Sequence, residues 1–199
     1  MVVTTSIIIT DFQICYDEAM TKYVALIRGI GPTNPNMRSE KLKAFFEELG
    51  FDNVQTLITS GNVLFESSDN NISKMEELIE KTLPEKLGFN STTIIRSQSE
   101  LQSLVDDGPY SEYEHGKKTY LLVTFFKQPK KIEFKLPYQP ENKPYKLVAA
   151  KDTVIYGIVD TTSGKTPDYM VWLEKQFGKN ITSRTLKTIQ KIIDKMKLQ

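Results

Sequence analysis

Lys22-Tyr23-Val24-Ala25-Leu26-Ile27-Arg28-Gly29-Ile30-Gly31 is the stretch that decides the fold. Tyr23 to Ile27 is a short apolar run rich in Val, Leu and Ile, and turn residues bound it. It reads as a buried strand over Tyr23–Ile30. Gly29, Gly31, Pro32 and Pro35 follow, so the strand empties into a turn-rich loop. A second stretch, Ile58-Thr59-Ser60-Gly61-Asn62-Val63-Leu64-Phe65, reads as a tight turn entering another strand.

Working outward, Leu42, Phe45, Phe46 and Leu49 fall at i, i+3, i+4 and i+7 and predict a helix over Arg38–Leu49. Asn36 or Ser39 is the N-cap and Gly50 the stop. A strand is expected over Asn53–Ile58 and another over Asn62–Ser67. The next helix carries Ile72, Met75, Ile79 and Leu83 on one face, with Pro84 expected to kink or restart it and Gly88 to end it. Ser91–Arg96 is the fourth strand. The order is β-α-β-β-α-β, the split βαβ or ferredoxin-like unit. The fold class is therefore α+β, with this unit over 20–97 packed on a smaller, β-rich half over 98–199.

In that second half a helix is expected over Gln98–Val105, a strand over Thr119–Phe126, and a hairpin of Tyr145–Ala150 and Thr153–Val159 around Lys151-Asp152. Gln128 to Lys135 reads as a connector or short strand. Thr166-Pro167 predicts one closing helix with Trp172, Leu173 and Phe177 inside. A last helix is placed from Thr182-Ser183, with Leu186, Ile189, Ile193 and Met196 on one side. No linker of low complexity separates the halves, so they are expected to pack together.

Residues 1–19 stand apart. They contain no Lys or Arg, and Ile7-Ile8-Ile9 is too short for a signal-peptide core. Met20 reads as a fresh start, with 1–19 an upstream or non-native extension. The alternative is an added strand, because Val2–Thr10 has strong β character.

Composition narrows the function. The 199 residues are 39% hydrophobic and 26% charged, as in an ordinary globule, and no stretch approaches the ~20 apolar residues of a membrane span. A formal net charge of +1 argues against a broadly basic nucleic-acid surface. One cysteine, Cys15, and one histidine, His115, permit no intrachain disulfide and no Cys/His zinc site. This matches a cytoplasmic, reducing setting. No cofactor and no metal are expected. His115 lies in the polar stretch Glu112–Lys118 and reads as a solvated loop histidine. Ser163-Gly164-Lys165-Thr166 resembles the end of a phosphate-binding loop, but that pattern needs glycine five residues before Gly164, where Val159 stands. A turn plus N-cap accounts for it. Adjacent carboxylates such as Glu47-Glu48 and Glu76-Glu77 read as solvated helix faces.

Several segments together resemble a family of uncharacterised, mostly bacterial proteins, domain of unknown function 1697. They are Tyr23–Ile30, Leu42 to Phe51, the tetrapeptide Ser60-Gly61-Asn62-Val63, and Thr182-Ser183-Arg184 with Thr188. The similarity runs from Met20 to Lys197. It implies an α+β fold and a start at Met20, and it brings no established activity. It also implies a secondary candidate site at Thr182, Arg184 and Thr188. The loop Gly31-Pro32-Thr33-Asn34-Pro35 and the residues Thr185, Leu186 and Lys187 depart from the family's usual pattern, so a site built there is an altered one.

One site is expected from geometry. In a β-α-β-β-α-β sheet of strand order 4-1-3-2, the end of the first strand lies beside the start of the third. Helix one begins at the same edge with free N–H groups and a positive dipole end. Arg28, Asn34, Arg38, Ser60, Gly61 and Asn62 should converge there, and an anion or carboxylate would suit them. The structural alternative is that Arg28 caps loop carbonyls and Asn62 ties two loops together. The functional expectation is a small binding protein for a polar or anionic ligand or for a partner protein. The other readings are a metal-independent enzyme with acid–base chemistry, or a single-stranded nucleic-acid module of the kind that stacks bases on sheet aromatics.

Overall fold

The structure is a computed structural model that describes residues 20–28, 34–58, 61–163 and 167–198. The leader 1–19, with Cys15, lies outside the described residues, as do Gly29, Gly31, Ser60 and Thr166.

In the first half, β1 (Thr21–Ile27), α1 (Ser39–Glu48), β2 (Asp52–Thr56), β3 (Asn62–Ser67), α2 (Ile72–Leu87) and β4 (Thr93–Ser97) follow the expected β-α-β-β-α-β order. Their antiparallel sheet has the order β2-β3-β1-β4. From Tyr23 to Ile27 β1 is apolar without a break because both its faces are covered. Tyr23, Ala25 and Ile27 pack under α1 and α2 with Phe45, Phe46, Phe65, Ile79 and Leu83. Val24 and Leu26 join the second cluster on the opposite face. β1 ends at Ile27, and Gly29 and Ile30 of the expected span lie outside the described residues. α2 continues through Pro84, because the proline sits in the last turn and Gly88 N–H still donates to its carbonyl.

The second half comprises α3 (Gln98–Asp106), β5 (Thr119–Phe126), β6 (Tyr145–Lys151), β7 (Val154–Asp160), α4 (Tyr169–Phe177), β8 (Ile181–Thr185) and α5 (Leu186–Lys197). Its sheet has the order β6-β7-β5-β8. Numbered from its own first strand, that is the order of the first sheet again, with a loop, 127–144, where the first half has α1. α3 and α5 lie between the two sheets. Leu101, Ile189, Ile192, Ile193 and Met196 pack there against Leu26, Leu64, Val123 and Phe125. α4 and the loop cover the far face of the second sheet with Tyr145, Leu147, Tyr169, Leu173 and Phe177.

Three expectations change. The segment 181–185 is a strand rather than the start of the last helix. Its Ile-Thr-Ser-Arg-Thr pattern is too polar to stand out, and pairing with β5 makes it a strand. The helix expected from Thr166 begins at Tyr169; Asp168, at its N-cap, turns its carboxylate to Lys143 Nζ (2.7 Å) and Tyr145 Oη (3.0 Å) and makes no side-chain cap. Glu76 is buried rather than solvated. It and Glu80 reach the outer edge of β4, accepting from Ile95 N–H (2.9 Å) and Thr93 N–H (2.8 Å). Carboxylates thus satisfy an edge that would otherwise be open to pairing.

Candidate functional site

Arg184 on β8, one of the secondary candidates, stands at the edge where the primary cluster was expected. Its Nε donates to Asn62 Oδ1 at 2.6 Å, and its Nη1 to Thr182 Oγ1 at 2.8 Å and Ser183 O at 2.9 Å. Nη2 donates to Ile27 O at 3.1 Å and Gly61 O at 3.4 Å. Asn62 is buried and spends its amide N–H on Leu57 O at 3.0 Å. Asn62 and Gly61 of the primary candidate therefore meet Arg184 and Thr182 of the secondary one, where β8 meets the end of β1 and the start of β3. Burial away from water holds the Arg184 guanidinium down at about 10. Gly61 has φ of +67°, and a Cβ there would sit 3.0 Å from Ile27 O, so a glycine permits this close approach.

The other expected residues do not join it. Arg28 follows Ile27, but its Nη2 turns to Glu174 on α4 at 2.5 Å, in a pair about one quarter exposed on each side. Asn34 caps the 3-10 turn Pro35–Met37 by accepting from Asn36 N–H. Arg38 is exposed at the head of α1 and makes no side-chain cap. Thr188 bonds Thr185, the N-cap of α5, at 2.9 Å. Ser60 lies outside the described residues.

The cluster has a counterpart in the same chain. Val24 faces Arg96 across β1–β4 as Val123 faces Arg184 across β5–β8. Each arginine is followed by an N-cap, Ser97 or Thr185, and then a helix. Arg184 donates to Ile27 O at the end of β1, and Arg96 Nη2 donates to Phe126 O at the end of β5 at 2.7 Å. The next residue is a cation both times. Arg28 reaches Glu174 on α4, while Lys127 reaches Glu80 at 2.5 Å and Glu76 at 3.7 Å on α2. The halves exchange the same contacts, as the two sides of a twofold interface do. The match fails at Asn62, whose counterpart is Val154, and Arg96 lies instead over the Phe125 ring at 5.8 Å.

A second place was not foreseen. A cleft of about 630 Å³ opens on the far face of the second sheet, floored by Tyr120, Leu122, Val159 and Tyr169. Lys117, Thr161 and Asp168 stand at its polar rim. The comparison of halves explains it. α2 has 16 residues and α4 has 9, a deficit of about 10 Å at 1.5 Å per residue. Both helices end close to the next strand, so the missing turns are at the N-terminal end of α4. Tyr120, Leu122 and Val159 occupy the positions of Thr21, Tyr23 and Ser67 in the first sheet, where Ile72 and Met75 open α2. Where the first sheet has Phe65, the second has Gly157, and a Cβ there would meet Tyr169 Oη at 2.2 Å. Tyr169 fills that space, and its hydroxyl joins Thr124 and Ser183 in a buried chain. Burial raises its phenol pKa well above the ordinary value. The sequence carried no signal of this cleft, because the helix expected from Thr166 would have been long enough to cover more of the sheet.

His115 is more engaged than a solvated loop residue. Its Nδ1 accepts from Leu121 N–H at 3.1 Å, and its ring stacks on Tyr120 at 5.5 Å, beside the cleft. Burial and nearby Lys187 lower its pKa, in the direction of the neutral ring whose Nδ1 accepts from Leu121 N–H. Among the described residues, no helix is long and apolar enough to cross a membrane.

The family described as "Protein of unknown function (DUF1697)" matches residues 20–156. Among solved structures, the chain is similar to the conserved bacterial protein SP0830 from Streptococcus pneumoniae. The two share 23% identity and a TM-score of 0.66 over 90% of this chain and 99% of that one. That likeness is one of fold. No curated protein matches the sequence.

Proposed function

The chain belongs to the DUF1697 family, and from that premise we propose that it is a binding module whose working surface is the cleft beside α4. One observation carries this reading: an open cleft of about 630 Å³ with an apolar floor and a few polar groups at its rim. That is the size and character of sites that bury a ligand. Tyr120, Leu122 and Val159 would take the apolar body, and Lys117 an anionic or polar group. Arg184 and Asn62 serve in this reading as the tie between halves.

The test is a thermal-shift panel on the full chain, with Leu122→Trp as the filled-cleft control. A ligand present at 100 times its Kd adds about 2.7 kcal/mol. For a chain of this length that is roughly 5–10 °C in Tm. Shifts lost in Leu122→Trp support the reading. Shifts retained in that variant, or none from small molecules or peptides, refute it.

A second reading keeps an anion at Arg28, Asn34, Arg38, Ser60, Gly61 and Asn62. It is favoured by one observation, that Arg28 Nε is buried with no hydrogen-bond acceptor among the described residues. Glu174→Gln, which frees Arg28, should then strengthen phosphate or carboxylate binding. Unchanged binding counts against it.

A further inference from the structure

We infer that the occupant of the cleft is a short amphipathic helix from a partner protein, lying where the first two turns of α2 lie on the first sheet. This rests on the binding reading above and adds the class of ligand. The chain supplies its own template. On the first sheet, Ile72 and Met75 open α2, and Met75 belongs to the same buried cluster as Tyr23. On the second sheet the matching positions hold Tyr120, Leu122 and Val159, a more apolar floor than Thr21, Tyr23 and Ser67; α4 packs on Val159 and part of Leu122 but leaves Tyr120 exposed at the cleft. The deficit of seven residues is two turns of helix.

The end of α4 fits the same occupant. A helix in the template position points its C-terminal carbonyls at the first turn of α4, where backbone N–H groups and the positive dipole end face it. The Asp168 side chain leaves that turn uncapped, being held by Lys143 and Tyr145. The partner helix therefore presents apolar side chains at i, i+3 and i+7, the spacing of Ile72, Met75 and Ile79, with an acidic residue on the side of Lys117. A small molecule would use the floor but has no need of that spacing.

The test uses the full chain and two constrained peptides of identical composition. One presents leucines at i, i+3 and i+7 on a helix with a glutamate beside them. The other has the same residues scrambled to a period of two. Backbone amide NMR shifts at Tyr120, Leu122 and Val159 are followed during titration. The helical peptide should saturate these shifts and bind at least about tenfold more tightly than the scrambled one. Leu122→Trp should abolish the shifts. Val171→Asp, on the exposed rim, should do the same should the tryptophan variant fold poorly. Equal binding of both peptides overturns the helix inference. Shifts produced by small aromatic acids but by neither peptide overturn it too, while leaving the binding reading in place. Silence from every probe refutes both.

Discussion

Replacing Arg184 by methionine tests the tie between the halves. Methionine keeps much of the side-chain volume and removes every donor. Asn62 Oδ1, Ile27 O and Gly61 O lose donors that now lie 2.6, 3.1 and 3.4 Å away. Asn62 is 1% exposed and Ile27 2%, so water does not readily replace them. An orphaned buried acceptor costs about 1–3 kcal/mol. Two well-bonded ones give about 2–6 kcal/mol, and release from burying the guanidinium charge pulls toward the lower end. Against a typical total of about 5–15 kcal/mol, the variant should fold but unfold at clearly lower urea. Equilibrium urea unfolding measures the change. A second substitution, Asn62→Leu, removes one orphan, so the double variant should lose less than the sum of the singles, with a coupling of roughly 1–3 kcal/mol. A loss below about 1 kcal/mol for Arg184→Met, or strict additivity with Asn62→Leu, would refute the tie.

Arg28→Gln breaks the exposed half of the same junction, and a partly solvated pair should cost no more than about 1 kcal/mol by the same assay. A loss as large as that of Arg184→Met would show Arg28 to be as structural as its neighbour. Burial raises the Glu76 pKa above the ordinary glutamate value. The sign follows from linkage: its stabilising contribution is complete below the unfolded-state value and is lost as pH rises through the raised folded value. Relative to Glu76→Gln, which can still accept from Ile95 N–H, the natural chain should therefore gain stability on acidification through that window. Parallel urea midpoints for the two proteins across pH would contradict the buried charge. Gly157→Ala places a methyl 2.2 Å from Tyr169 Oη and should cost about 1–3 kcal/mol, part of it recovered with Tyr169→Phe. Calorimetry showing no loss would mean that Tyr169 moves freely at the cleft floor.

The sequence by itself determined the elements whose burial is local and repetitive. Tyr23–Ile27 is apolar at every position, so it had to be a strand covered on both faces. Leu42, Phe45 and Phe46, and then Ile72, Met75 and Ile79, have helical spacing, so they had to face a sheet. The order of those pieces led to the first sheet and to the meeting of Asn62 with the end of β1. Tertiary structure alone decided the rest. β8 is a strand because β5 is there to pair with it, which no spacing within Ile181–Thr185 encodes. Arg184 and Ile27 meet across 157 positions of sequence, and only two sheets in fixed register bring a guanidinium to that carbonyl. The cleft is the clearest case. Tyr120 looks like an ordinary strand residue, and its exposure is a property of the seven helical residues that α4 lacks above it. A local pattern reports which face of an element seeks cover. Whether another element arrives to cover it depends on lengths and registers set elsewhere in the chain.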